Sequence, residues 1–479
     1  MNDAHDATAP RARRGRDSLA VTGARAVSAV ARRTGHAGTS LPGMVAERMA
    51  PGILSRLAGD LGPTVMISGT NGKTTTTYLL AWILRRVGRP VVSNRSGANL
   101  RQGIASTLVA QAGPDGRLRS RGSAAVFEVD EATLPTVADA LPIATLVLTN
   151  LFRDQLDRFG ETDEIIRRWQ RMLDALPAGA PLVSCSDDPR LAYLTRARSE
   201  SLVGFGLIEP PLGMAETSLT PEVTTCPSCD GRLVYAWSAV GHLGAFACQA
   251  CGFGRSEPDL GVRVVSSRGI DGQTLAFRRA GTPGEVSVAV RLPGTSNAYN
   301  AAAAVAAAIT LDVPVETAVG ALADTTSAFG RYEEVEIDGR RVVLMLGKNP
   351  ASLGELTRVG AESAVSSILF ALNDQYADGR DVSWYWDVDP TPMLAGRAYA
   401  ISGSRAPDFR LRLKYQADGG PEAGLSGLVG TFADPPDGLA GLVEATPRGG
   451  TILVIATYTA LLRLHRHLVG RGLAPHAPR

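Results

Sequence analysis

An α/β architecture, a mostly parallel and doubly wound sheet followed by a second α/β unit, is what this sequence predicts. Three observations carry it. Short apolar runs at residues 64–68, 90–93, 124–129, 144–149 and 181–185 alternate with helical patterns, and strands that alternate with helices pack as parallel sheets covered on both faces. A glycine-rich turn, GTNGKT at Gly69 to Thr74, joins the first run to an apolar helix spanning about Gly72 to Val87. A second set of apolar runs, at 342–346, 366–372, 398–402 and 451–456, follows an alanine-rich helix at Ala298 to Leu311.

At 479 residues, 44% hydrophobic and 20% charged, the chain is a globular protein with room for two or three cores. A net charge of +2 gives no global argument for nucleic acid. No apolar run is long enough for a membrane span and the N-terminus lacks the apolar core of a secretion signal, so the expected address is the cytoplasm. The arginine-rich N-terminus, with RARRGR at Arg11 to Arg16, reads as a disordered tail and a solvated helix, or as a weak attraction to an anionic membrane surface. Residues 18–60 read as amphipathic helix broken at Leu41-Pro42-Gly43. The expected units are an N-terminal tail and helix over 1–50, a nucleotide-binding domain over 51–316 with an insert at about 222–256, and a C-terminal α/β domain over 317–479. Their main boundary falls near Pro314 to Tyr332.

Among 49 basic residues only Lys73, Lys348 and Lys414 are lysine. A compact ammonium and a planar guanidinium do different work, so a lysine kept in such a chain marks a candidate site. Lys73 lies in GTNGKT, where two glycines let the backbone turn and the helix N-terminus presents its N–H groups. The pattern is shorter than the full Walker spacing, which needs glycine at Ile67. It predicts that Gly69, Thr70, Asn71, Gly72, Lys73, Thr74 and Thr75 cradle phosphate groups, with Lys73 on the terminal phosphates and the Thr74 hydroxyl on magnesium. The carboxylate such chemistry needs is supplied by FEVDEA, Phe127 to Ala132: Glu128 ends an apolar strand run, and Asp130 and Glu131 are rival ligands or solvated charges.

Cys226 and Cys229, eighteen residues, then Cys248 and Cys251 have the spacing of a zinc ribbon. Four protein thiolates leave no open position, so the expected zinc is structural. The intervening segment holds one arginine, Arg232, which argues against phosphate binding there. Cys185 is left over, sits in no nucleophile elbow, and is expected to be an ordinary buried residue at a strand end.

With TNLFRDQLDRFGE (Thr149 to Glu161), CSDDP (Cys185 to Pro189), GTSNAYNAAAA (Gly294 to Ala304) and FGRYE (Phe329 to Glu333), these residues resemble the Mur ligase family. The resemblance implies a Mur ligase-like central P-loop ATPase domain, a C-terminal Rossmann-like domain, and an ATP-dependent reaction that turns a carboxylate into an acyl phosphate for an amine to attack. It places Asn297 and Asn300 near the nucleotide base and Arg331 at the phosphates. The chain departs from the common pattern: Asp154-Gln155 stands where many members have Asp-His, no lysine between Lys73 and Lys348 can be carbamylated, and LGKNPAS (Leu346 to Ser352) replaces DYAHNP.

Those departures, the cysteine insert, SNRSGANL (Ser93 to Leu100), ATYTALL (Ala456 to Leu462) and LNDQYADGRDVSWYWDVD (Leu372 to Asp389) resemble the MurT branch of the family. What that implies is amidation of the α-carboxyl of D-glutamate in the lipid II stem peptide. Ammonia would come from a GatD-type glutaminase subunit, and an aspartate of this chain would orient the partner's histidine. Asp381 is the expected residue, with Asp378 and Asp387 as alternatives. Trp384 and Trp386 alternate as in a strand. Competing readings are a self-contained amino acid ligase of the Mur or folylpolyglutamate type, and a non-catalytic nucleotide-binding scaffold.

Overall fold

The computed structural model describes residues 8–33, 40–94, 97–152, 162–211, 221–325, 332–379, 381, 383–416 and 425–475. In chain order the first strands are β1 (Thr64–Ser68), β2 (Val91–Ser93), β3 (Ala124–Glu128), β4 (Thr145–Leu148), β5 (Leu182–Cys185) and β6 (Leu202–Leu207). A hairpin of β7 (Leu233–Val240) and β8 (Leu243–Cys248) interrupts them, and β9 (Leu260–Ser267), β10 (Gln273–Arg279) and β11 (Val286–Val290) complete the large sheet. Its order is β11-β10-β9-β6-β5-β4-β1-β3-β2. All pairings are parallel from β2 through β9, and β10 and β11 are antiparallel additions.

The strand order turns about β1: the chain steps from β1 to β2 on one side and later places β4 on the other. Crevices open at such reversals, beyond the carboxyl ends of the strands. β1, TVMIS, is buried along its whole length, as a central parallel strand covered on both faces must be. The helix Thr295–Ile309 packs across β4, β5, β6 and β9 with an almost unbroken alanine surface. Alanine at these positions lets a helix approach a sheet closely at no cost in side-chain entropy.

The N-terminal helix Thr8–Arg33 is not a solvated appendage. Ala20, Val21 and Ala24 enter the same core as the large sheet, Asp17 pairs with Arg56, and Arg25 donates to the carbonyls of Ala110 and Ala112. Its apolar spacing is that of a one-sided helix, and the face of the first domain supplies the partner. Leu41-Pro42-Gly43, expected as a break, opens the helix Leu41–Met49 instead. Proline is tolerated in a first helical turn, where its missing N–H has no intrahelical partner to lose. Gly43 lies so close to Gln102 and Ser106 that a Cβ there would meet the Gln102 carbonyl at 2.0 Å.

The second sheet contains β12 (Tyr332–Ile337), β13 (Arg340–Leu346), β14 (Ser367–Ala371), β15 (Ala398–Ser402), β16 (Leu428–Phe432) and β17 (Thr451–Ala456), ordered β12-β13-β17-β14-β15-β16. Only β12 runs antiparallel to its neighbour. Helices cover both faces and make two separate cores. The first core continues through Leu322 and also takes in Ala351, while the second sheet starts at Tyr332. β6, β12 and β16 were not foreseen: LVGFGL and LVGTF carry glycines that weaken a strand pattern, and YEEVEI is an alternating edge strand rich in acid. Trp384 and Trp386 do not alternate on a strand. Ser383–Asp387 is a 3₁₀ turn that buries Tyr385 and leaves Trp386 exposed.

The two domains meet at several points, among them the Arg341–Asp271 ion pair at 2.6 Å and one helix of the C-terminal domain. Pro350–Ala361 starts with a capping box, Asn349 accepting from Ser352 N while Ser352 accepts from the Asn349 N–H. From that helix Glu355 receives the backbone N–H groups of Thr295 and Ser296, and Arg358 donates to Thr295 Oγ1 at 2.8 Å. A buried carboxylate at a helix N-terminus is favoured by both hydrogen bonds and the helix dipole.

Candidate active site

GTNGKT lies at the carboxyl end of β1, and its two glycines are there for reasons of space. Gly69 has φ +137° and a Cβ would meet Thr149 Oγ1 at 2.2 Å; Gly72 has φ +86° and a Cβ would meet Asn300 Oδ1 at 2.0 Å. Any side chain at either position must displace a neighbour and adopt a disfavoured backbone. The loop is held by the segment that follows β4. Thr70 N donates to Asn150 O at 2.9 Å, Asn71 N to Asn150 Oδ1 at 2.8 Å, Phe152 N to Thr70 Oγ1 at 3.0 Å, and Thr149 Oγ1 to Asn71 O at 2.8 Å.

Lys73 opens the helix Lys73–Arg86 and is buried. Its ammonium donates to Gly69 O at 2.5 Å and Thr70 O at 3.2 Å, and pairs with Glu131 Oε2 at 3.0 Å. Thr74 Oγ1 donates to Glu128 Oε2 at 2.8 Å, and Thr75 is buried in the same turn. Glu128 projects from the end of β3, 4% exposed, and its other oxygen accepts from Asn99 Nδ2 at 3.2 Å. Asn94 grips its backbone from both sides, accepting from Glu128 N at 2.9 Å and donating to Glu128 O at 2.8 Å. Of the acidic rivals, Asp130 caps its own turn through Ala132 N, and Glu131 is the partner of Lys73 rather than a solvated charge.

The structure therefore brings Gly69 through Thr75, Glu128, Asn297 and Asn300 together. Asn300 Nδ2 donates to Asn297 Oδ1 at 3.0 Å, and Asn297 is anchored to Pro293 O at 2.7 Å. Arg331 lies outside the described residues, as do Asp154 and Gln155. Asp381 is on the C-terminal domain, away from this loop in sequence and in sheet. It is exposed, and its Oδ1 accepts from Ser383 N at 2.9 Å. Asp378 is buried and committed: it accepts from Gln375 N at 3.0 Å, Thr459 N at 2.8 Å and the Thr459 hydroxyl. Asp387 is exposed in the same turn.

Several site residues had no assigned role in the sequence: Asn94, Asn99, Thr149, Asn150 and, from the C-terminal domain, Lys348 and Asn349. Lys348 Nζ donates to Thr70 O at 3.1 Å, and Asn349 Nδ2 donates to Asn71 Oδ1 at 2.9 Å. The rarity of lysine was the one signal that pointed to Lys348. The asparagines sit in the quoted motifs, but nothing in a spacing says which of them faces the loop.

The cysteines of the insert converge. The Cys226, Cys229, Cys248 and Cys251 sulfurs lie within 4.8 Å of one another, with Cys226–Cys251 at 3.8 Å and Cys229–Cys248 at 3.5 Å. Backbone N–H groups of Ser228 and Ala250 point at Cys226 and Cys248, both at 3.4 Å. The amides of Cys251 and Ala250 draw the Cys248 thiol down to about 6. Cys185 is the opposite case: burial, with Asp187 and Asp188 nearby, pushes its thiol well above the ordinary value. That is the reverse of what a thiolate nucleophile requires.

Asp187 and Asp188 of CSDDP tie the insert to the core. Asp187 accepts from Arg255 Nε at 2.6 Å, Tyr299 OH at 2.6 Å and Leu207 N at 2.9 Å, and burial still holds it above the usual carboxylate range. Asp188 caps the helix Pro189–Thr195. Burial opposes its ionisation, but His242 at 3.3 Å, the Leu151 N–H and Arg190 together offset this and the carboxyl falls below its usual value.

Residues 67–227 match the family model described as Mur ligase middle domain, and residues 346–461 the one described as MurT ligase C-terminal. The chain is 32% identical over 386 residues to the subunit MurT of lipid II isoglutaminyl synthase (glutamine-hydrolyzing) from Staphylococcus aureus strain COL, covering 80% of this chain and 84% of that protein. It is 35% identical over 365 residues to the same subunit from Streptococcus pneumoniae strain R6, covering 74% and 76%. Among solved structures, a pseudomurein peptide ligase type C from Methanothermus fervidus superposes with a TM-score of 0.64 at 19% identity, over 86% of this chain and 79% of that one. MurF ligase from Thermotoga maritima in complex with ADP superposes at 0.58 and 14% identity, over 88% and 83%, so the architecture is shared where the sequence has diverged. With the middle domain and the C-terminal domain each matched, and with relatives above 30% identity across most of their length, the chain belongs to the Mur ligase family, in the branch formed by the MurT subunits.

Proposed function

We propose that this chain is the synthetase subunit of a lipid II isoglutaminyl synthase. An oxygen of the D-glutamate α-carboxylate in the lipid II stem peptide attacks the γ-phosphorus of ATP, and ADP leaves. Ammonia then attacks the acyl carbon, gives up a proton, and inorganic phosphate departs, leaving D-isoglutamine. The observation that carries the reading is the placement of Lys73, Thr74 and Glu128 at one strand-end crevice in a chain of the MurT branch.

In this reading the N–H groups of Gly69 through Thr75 and the Lys73 ammonium hold the nucleotide phosphates. The paired hard oxygens of Thr74 and Glu128 suit magnesium, which would neutralise charge on the transferring phosphoryl group. Asn94 and Asn99 hold Glu128 in place, Asn297 and Asn300 are assigned to the base side, and the family resemblance assigns Arg331, outside the described residues, to the phosphates. Glu131 releases Lys73 when phosphate arrives. The buried, protonated Cys185 supports an external source of ammonia, a GatD-type glutaminase subunit docked on the C-terminal domain. The test is to incubate the purified chain with MgATP and lipid II, once with ammonium chloride and once with glutamine. Amide formation and ADP release with ammonium alone are expected. Turnover only with an added amino acid would replace the reading by that of an amino acid ligase.

The insert is read as a zinc ribbon. Tetrahedral zinc with Zn–S bonds of about 2.3 Å sets its sulfurs about 3.8 Å apart, close to the spacings of 3.5 and 3.8 Å. One zinc per chain is expected by elemental analysis, and chelation is expected to lower Tm by about 5 °C or more. Metal-free protein with an unchanged melting curve would refute it.

No helix among the described residues is long and apolar enough to cross a membrane. Peripheral contact with the inner face of the membrane is read from the first two helices, which expose Leu19, Val30, Leu41, Met44 and Met49 among arginines. Co-sedimentation with phosphatidylglycerol vesicles but not with phosphatidylcholine vesicles is expected. Equal recovery in the two pellets would refute that contact.

A further inference from the structure

The ribbon hairpin has two ends. The cysteine cluster occupies one, and the turn Gly241-His242 between β7 and β8 occupies the other, inside the first domain. Gly241 has φ +55° and packs so tightly that a Cβ would meet the Phe152 ring at 2.7 Å. His242 is wholly buried, with its ring centroid 4.6 Å from that of Phe152. Its Nε2 lies 3.3 Å from Asp188 Oδ2, and its Nδ1 lies 3.9 Å from Glu222, beyond hydrogen-bond reach.

The same Asp188 oxygen accepts from Leu151 N at 2.7 Å, while Arg190 Nη1 holds Leu151 O at 2.8 Å. The next residue is Phe152, whose N–H and C=O both engage the Thr70 hydroxyl, at 3.0 and 3.2 Å. Residues 150–152 are thus clamped between two structures. The phosphate loop grips one side through Asn150 and Phe152, and the ribbon turn grips the other through Asp188 and the Phe152 ring.

We propose that His242 is a positioning residue for the nucleotide site: through Asp188 it fixes Leu151 and Phe152, and these fix Thr70 and Asn71 of the phosphate loop. The ribbon on this account shapes the ATP site rather than only stabilising a remote insert. A hydrogen-bonded segment with buried partners on both sides has little slack: without His242, the buried Asp188 Oδ2 keeps Leu151 N but loses the group that holds it from the ribbon side, and the carboxylate can shift and carry Leu151 with it. The inference rests on GTNGKT being the nucleotide phosphate loop.

The test measures binding of a fluorescent ATP analogue with magnesium to the full-length chain and to two variants, His242→Phe and His242→Gln. Phenylalanine keeps the ring against Phe152 and removes the group facing Asp188; glutamine restores a donor near the Nε2 position. The expected result is a Kd about tenfold weaker for His242→Phe, the scale of couplings carried through side chains that do not touch the ligand, with zinc content still one per chain and KM for the lipid acceptor unchanged. His242→Gln is expected to recover most of the loss. Equal Kd values for the wild type and His242→Phe would overturn the proposal. If His242→Phe does not fold, Phe152→Leu takes its place, with the same weakening expected and the same refutation if the Kd is unchanged. A wild-type chain that binds no nucleotide would instead sink the phosphate-loop reading.

Discussion

Lys73→Ala is expected to lower kcat for ammonium-driven amidation by about 10³-fold or more, the order of effect that follows loss of a charged group aimed at developing transition-state charge. The position is built for one ammonium. Lys73 is buried at the first turn of its helix and reaches Gly69 O at 2.5 Å, Thr70 O at 3.2 Å and Glu131 at 3.0 Å. Lys73→Arg is expected to fail nearly as badly, since a planar guanidinium cannot occupy that space in the same geometry. The residue's retention in a chain with 49 basic positions and three lysines agrees with this requirement. Following ADP release and the carboxyl-to-amide mass shift together checks the result. An alanine variant that keeps a tenth or more of wild-type turnover would remove Lys73 from the phosphate-transfer step.

Asp381→Ala is the second large effect, and it is selective. Glutamine-driven amidation should fall by about 10³- to 10⁴-fold, as when a triad loses the carboxylate that orients its histidine. Ammonium-driven amidation and nucleotide binding should stay within about twofold. Asp381 suits the role because it is exposed and its carboxylate is aimed by Ser383 N at 2.9 Å. Asp378 does not suit it: its oxygens are spent on Gln375 N and on both groups of Thr459, so Asp378→Ala should cost folding stability and both activities together. The measurement is the ratio of glutamine-driven to ammonium-driven product with the glutaminase subunit present. Full glutamine-driven activity in Asp381→Ala would sink the assignment.

Much of this architecture was legible in the chain. Central strands such as TVMIS and TILVIA are continuous apolar runs because parallel strands are buried on both faces. The strand, glycine turn and helix around Lys73 follow from local steric rules. What misled the reading were segments whose pattern depends on a partner. SWYWD alternates like a strand, yet it folds as a 3₁₀ turn because Tyr385 finds a pocket against Phe409, at 5.7 Å between ring centroids. The first helix looked solvated because it is rich in arginine, while the face it buries is mostly alanine.

Local devices are written in the sequence: the glycine-rich GTNGKT loop with its lysine, the strand-end Glu128, the four-cysteine spacing, the alanine-rich helix and the α/β order. Each is encoded within a few residues, where spacing and side-chain type are the physical constraint. Tertiary structure alone decided which groups meet across the chain. It set Asn94 and Asn99 on Glu128, Lys348 and Asn349 on the phosphate loop, Glu355 on the N-terminus of the helix Thr295–Ile309, and His242 on Asp188. These contacts join residues as far as 278 positions apart. Their geometry is set by how buried sheets and helices pack, and no periodicity in the sequence records it.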